Sequence, residues 1–170
     1  METINFEIVT LLLNELEQEA QTTRKMLARV PAEKFDWQPH PKSMSLMRLA
    51  VHLAELPGWV AMTMVTDGLD FENNPYEHKQ VASTGELLDF FETCLAEGKA
   101  ALEQADVEYL SKEWVLRSGD VIHSRETKYD IIRMSLSQTI HHRAQLGVYL
   151  RLLDVPIPGS YGPSADDIAF

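Results

Sequence analysis

The sequence predicts an all-α protein, a four-helix bundle, from three observations. Four segments carry apolar residues at the three-to-four-residue period of an amphipathic helix. Proline, glycine and asparagine clusters separate those segments. At 170 residues the chain is long enough to bury one sizeable core, and 45% apolar content is ordinary for a globular domain. We expect one domain over residues 1–170.

The first helix is expected from about Asn5 to Ala28. Ile8, Leu12, Leu16, Ala20 and Leu27 form one stripe, Glu15, Glu17, Glu19 and Arg24 fall mostly outside it, and Pro31 ends it. Two prolines force Phe35 to Pro41 into a loop, pinned by Trp37. Ser45 can cap the second helix, which carries Leu46, Leu49, His52, Leu53, Leu56, Trp59 and Val60 and is closed by Asp67-Gly68. Pro57 removes a backbone hydrogen bond and should kink that helix just after His52. Residues from about Asp70 to Val81 read as a polar surface loop.

Ser83 or Thr84 starts the third helix, with Glu86 placed to complete a capping box and with Leu87, Leu88, Phe91, Leu95 and Leu102 as its buried stripe. Periodicity weakens after Asp106. There Trp114–Arg117 and Val121–Ser124 flank Ser118-Gly119-Asp120, the pattern of a short hairpin between the third and fourth helices. The fourth helix runs from about Thr127 to Leu153. The proline-rich tail from Pro156 cannot be helical and should lie extended over the bundle.

Composition excludes several function classes. A net charge of −11 lacks the cationic footprint that phosphate binding needs, so nucleic acid and anionic membrane surfaces are not expected partners. The lone cysteine, Cys94, sits in a helical pattern and reads as a small buried hydrophobe. One cysteine suits a reducing compartment, and the acidic start of the chain has no basic segment ahead of Ile8–Leu13, a run too short to span a bilayer. Together these point to a cytoplasmic protein. No nucleophile elbow, phosphate-binding loop or dinucleotide fingerprint is present.

The chemistry concentrates in the histidines. His52 lies on the apolar face of the second helix, flanked by Leu49, Leu53 and Leu56. On the fourth helix, residues advance about 100° each, so His141 and His142 cannot face one point. Gln138 and His142, four apart, share a face. Their stripe of Ile131, Ser135, Gln138, His142, Gln145 and Tyr149 is polar in the middle, whereas a purely structural core stripe would be apolar throughout. Imidazoles from two helices can hold a divalent metal in a bundle core. The candidate ligands are His52 and His142 with Gln138, or His141 in its place. Glu55, Gln145 and Tyr149 are neighbours that could orient a ligand, with an exposed carboxylate and packing as their plainer roles. His40, His78 and His123 fall in loops and read as solvated.

The tracts Leu46–Glu55, His141–Arg151 and Pro156–Asp166, with Trp37-Gln38-Pro39, resemble the DinB-like superfamily over essentially the whole chain. The resemblance implies an up-down-down-up bundle, a homodimer, and a divalent metal, nickel or zinc, on three histidines. His52 and His142 match two of those positions, and Gln138 stands at the third. An amide oxygen is a weaker ligand than imidazole for such ions, so affinity should fall. Relatives of this kind suggest metal-dependent S-transfer to or from a thiol cosubstrate, thiol-dependent isomerisation or hydrolysis of a small-molecule substrate. The alternative is a non-catalytic, stress-associated binding or dimerisation bundle with a degenerate metal site.

Overall fold

The computed structural model describes residues 2–75 and 77–168, with side chains from residue 8 onward. Met1, Tyr76, Ala169 and Phe170, which belong to the expected single domain, lie outside the described residues.

Four long helices form: α1 (Glu2–Leu27), α2 (Leu46–Val65), α3 (Thr84–Glu103) and, after the short α4 (Val107–Leu110), α5 (Lys128–Leu152). Each long helix after the first starts at a hydroxyl cap. Ser45 Oγ accepts from the Arg48 N–H and Ser83 Oγ from the Glu86 N–H, satisfying donors that a helix start leaves open. Thr127 and Asp130 complete a reciprocal capping box at α5. At the far end of α5 the chain closes in a Schellman motif. Asp154 takes a left-handed φ of 58°, its N–H donates to Arg151 O, and the Val155 N–H donates to Leu150 O.

Contacts between helices give their directions. Arg24 pairs with Glu92 and Lys99 with Glu17, so α1 and α3 are antiparallel. Glu15 pairs with Arg133 and Glu19 with Arg143, so α1 and α5 are parallel. Ser135 Oγ donates to Leu56 O at 2.7 Å while His142 meets His52, so α2 and α5 are antiparallel. Taken together these three directions make α2 parallel to α3, and the two helices touch where Gly58 faces Cys94 and Gly98 faces Pro57. The result is up-down-down-up, with a core that includes Leu16, Leu27, Leu46, Leu53, Val60, Leu87, Phe91, Leu102, Ile132, Leu136 and Leu150. Pro57 sits inside α2, which continues through Val65. A Cβ on Gly98 would stand 2.4 Å from the Pro57 carbonyl oxygen, so the absence of a side chain lets α3 approach α2.

The hairpin is present and longer than expected. β2 (Glu113–Ser118) pairs antiparallel with β3 (Val121–Thr127), with a bulge at Leu116/Arg117. Gly119, at φ 55°, supplies the turn. A third strand, β1 (Gly68–Asp70), pairs parallel with β2 and makes the sheet order β1-β2-β3. The expected loop from Asp70 is therefore corrected at its start. Asp70 is buried at the end of β1, where its carboxylate accepts from the Gly119 N–H at 2.9 Å and pairs with Arg117. The Gly119 N–H, helped by Asn73, Glu72 and Arg117, holds its carboxyl below the usual range against the opposing effect of burial. Three residues are too few to show a period, and their partner lies far along the chain.

Trp114, fully buried, ties the sheet to the bundle by donating to Thr66 Oγ1 at 3.0 Å. Lys128, also fully buried, donates to Thr66 O and stands 4.1 Å over the Tyr109 ring. No helix among the described residues is long and apolar enough to cross a membrane.

Candidate functional site

His52 and His142 meet. Their ring centroids are 4.6 Å apart with planes at 76°. Two imidazoles on one ion, with metal–nitrogen bonds of about 2.0–2.1 Å, would place their centroids roughly 4.5 Å apart at a right-angled N–metal–N angle and roughly 5.2 Å apart at a tetrahedral one. The separation therefore fits a shared cation.

Each ring is oriented by an acceptor three residues further along its own helix. His52 Nδ1 lies 2.6 Å from Glu55 Oε1, and His142 Nδ1 lies 2.9 Å from Gln145 Oε1. With Nδ1–H as the donor, Nε2 of each ring carries the free lone pair. This is the tautomer in which an imidazole ligates through Nε2 while an outer acceptor fixes its plane. Burial holds His142 below the ordinary imidazole range. The Gln145 bond opposes this, and the nearby His52 and His141 rings add to it. The consequence is a neutral ring at neutral pH, the form a metal requires.

The other expected site residues fall as follows. Gln138 is half-buried one helical turn before His142. His141 is exposed, its ring 4.8 Å from His142. Glu55 is not the exposed carboxylate that was the plainer expectation. Its side chain is 13% exposed, and it accepts from His52. Tyr149 has the packing role, with Trp37 edge-on at 5.5 Å and its hydroxyl donating to Met44 O. Ser135, in the polar middle of the stripe, spends its hydroxyl on Leu56 O, and Thr139 beside it donates to Ser135 O, so part of that polarity is structural. His40 and His78 are exposed in loops, as expected, whereas His123 is exposed on strand β3 and bonds Ser118 Oγ. Among the described residues, no group of three or more His, Cys, Asp or Glu is placed to hold a metal.

Cys94 is buried against Gly58, and burial, with Glu97 and Glu55 nearby, pushes its thiol up to about 11. It stays protonated and is no nucleophile.

Two features escaped the sequence. Arg48, His52, Glu55 and Trp59 lie at helical spacing on α2 and, with Met44, Phe71 and His78, line a cavity of about 300 Å³ beside the histidine pair. Their spacing was visible, but nothing in it showed that this flank of α2 stays uncovered by another helix. The second feature is a buried ion pair away from the histidines, reached by the hydroxyl of an exposed tail tyrosine. Arg143, 2% exposed, pairs with Glu19 at 2.6 Å and donates to Tyr161 OH at 2.8 Å, and the Tyr161 hydroxyl donates to Glu19. Glu19 was expected on the outer side of α1 and is buried. The tail covers that side and brings Tyr161 to it.

The model of the DinB family matches residues 1–169. A DinB-like protein from Bacillus subtilis superposes with a TM-score of 0.66 at 19% identity, covering 85% of this chain and 92% of that one. A DinB-like protein from Bacillus cereus also gives 0.66 at 19% identity, with 87% and 94% covered. At that identity the structures establish a shared fold. No curated protein matches.

Proposed function

We propose that this chain, which belongs to the DinB family, holds a divalent metal ion, nickel or zinc, between α2 and α5 on His52, His142 and Gln138, and works as a metal-dependent enzyme on a small molecule with a thiol cosubstrate or water. The observation that carries this is the pair of imidazoles 4.6 Å apart, each pinned through Nδ1 and each left with Nε2 free. When bound, such an ion would supply Lewis acidity, lowering the pKa of a thiol or water.

The chain's own residues supply the rest. Glu55 and Gln145 keep both rings in one tautomer and plane. Glu55 also places negative charge next to His52, partly balancing a cation held by otherwise neutral ligands. Two imidazoles and an amide leave coordination positions for an incoming group. The chain offers no thiolate, since Cys94 is buried and protonated. The nucleophile therefore comes from the cosubstrate.

A second reading is a non-catalytic binding bundle whose site has decayed. Gln138 at the third position and the lack of a three-residue His, Cys, Asp or Glu group among the described residues favour it. Elemental analysis of protein purified without a histidine tag and equilibrated with nickel or zinc separates the two. The first reading expects stoichiometric metal that is lost in both His52→Ala and His142→Ala. Metal-free wild type, with His142→Ala equally stable, selects the second. We take the assembly to be a homodimer, which light scattering on the eluted protein would test. Val148 and Leu152, both 59% exposed on α5, offer apolar contact for it.

A further inference from the structure

The cavity beside His52 has a chemistry of its own. Arg48, His52, Glu55 and Trp59 follow one another along a single stripe of α2, spanning about 16 Å at 1.5 Å per residue. Met44, ahead of the helix, and Phe71, just after β1, close the sides. The apolar walls are thus an indole, a phenyl ring and a thioether, and the His78 imidazole is a further polar lining group. At about 300 Å³ the space is at the small end of ligand cavities, suited to one ring and a short chain.

Its polar groups are unequal. The Glu55 carboxylate is engaged with His52. Arg48 is exposed, and no described residue pairs with its guanidinium. In a chain of net charge −11, a guanidinium that no described residue engages and that lines an apolar cavity can meet an anionic group there. The cavity under the tail differs, because Arg143 there already donates to Glu19, Thr23 and Tyr161 and offers little to a ligand.

We propose that the α2 cavity binds a small aromatic carboxylate. The acid group meets Arg48, the ring lies against Trp59 and Phe71, and the chain between them passes the His52–Glu55 pair. Arg48 is a specificity determinant rather than a catalytic group, since it touches the acid end alone. The proposal rests on the metal-site function only in making this ligand that enzyme's substrate. Binding itself requires no metal.

The test is calorimetric titration of the full chain with 4-phenylbutyrate and with its neutral amide, each with EDTA and after nickel loading. The acid should bind roughly 1.5- to fivefold more tightly than the amide, the range for a solvent-exposed charge-assisted contact. Arg48→Gln should erase that preference, and Arg48→Lys should keep part of it. Arg48 is exposed, so the substitutions leave the core untouched. Equal affinity for acid and amide, an unchanged preference in Arg48→Gln, or no binding of either compound overturns the proposal. A preference for the acid in a protein that takes up no metal even after nickel loading would sink the metal reading and leave this one standing. Stoichiometric metal without any preference would do the reverse.

Discussion

Replacing Glu19 with alanine should cost this protein about 3 kcal/mol of stability, although Glu19 lies outside the candidate metal site. Its carboxylate neutralises Arg143, which is 2% exposed, at 2.6 Å, and accepts from the Tyr161 hydroxyl at 2.8 and 2.9 Å. Removing one partner of a buried ion pair leaves an uncompensated charge and typically costs about 3–5 kcal/mol. The low end applies here, because Arg143 would keep the Glu19 carbonyl oxygen, Thr23 Oγ1 and Tyr161 OH as acceptors. Against total stabilities of about 5–15 kcal/mol this is a large fraction. For a chain of this length it corresponds to a fall in Tm of roughly 6–12 °C. Urea unfolding followed by far-ultraviolet circular dichroism measures it. A double replacement, Glu19→Leu with Arg143→Met, should be milder than Glu19→Ala, because no charge is left buried. A loss under about 1 kcal/mol in Glu19→Ala, or a double variant worse than both singles, would refute the view that a buried, coupled pair anchors the tail.

Three further outcomes are expected. Gln138→His should raise nickel or zinc affinity by at least about tenfold, because imidazole is the better donor; unchanged affinity in a competition titration would show that Gln138 is misassigned. His142 is held below its unfolded imidazole value, so in metal-free protein the unfolded state binds more protons once pH falls below the ordinary imidazole range. Stability from this group is therefore full above that range and lost as pH drops towards the folded value, and His142→Gln should flatten that part of a urea-midpoint profile against pH. Gly98→Ala would put a Cβ 2.4 Å from the Pro57 carbonyl oxygen, backbone against backbone. A loss of about 1–3 kcal/mol in chemical denaturation is expected from such overpacking, and a neutral result would mean the two helices can part easily.

Much of the fold was legible because it is written in local periods and caps. Ser45, Ser83 and Thr127 begin their helices as hydroxyl caps should, and Leu12, Leu16, Ala20 and Leu27 are all buried on the expected stripe. Strand β1 was illegible because a three-residue strand has no period and gains its stability from β2, far along the chain. Glu19 misled for a related reason: a charge next to an apolar stripe is normally solvated, and the packing of α5, which brings Arg143 to it, makes it a buried partner. The candidate site divides in the same way. His52 and His142 could be singled out on their helices, whereas the bond from His52 to Glu55 depends on how that flank is covered.

Sequence alone therefore determined the helices, their order, the hairpin and the two imidazoles to watch, since periodicity, capping and turn chemistry act over a few neighbouring residues. The tertiary structure decided which flank of α2 stays open as a cavity, which carboxylates become buried partners, and that rings on α2 and α5 come within 4.6 Å. Those outcomes depend on the relative placement of helices packed side by side, which is set by side-chain interlocking across elements distant in the chain and leaves no periodic trace in any one of them.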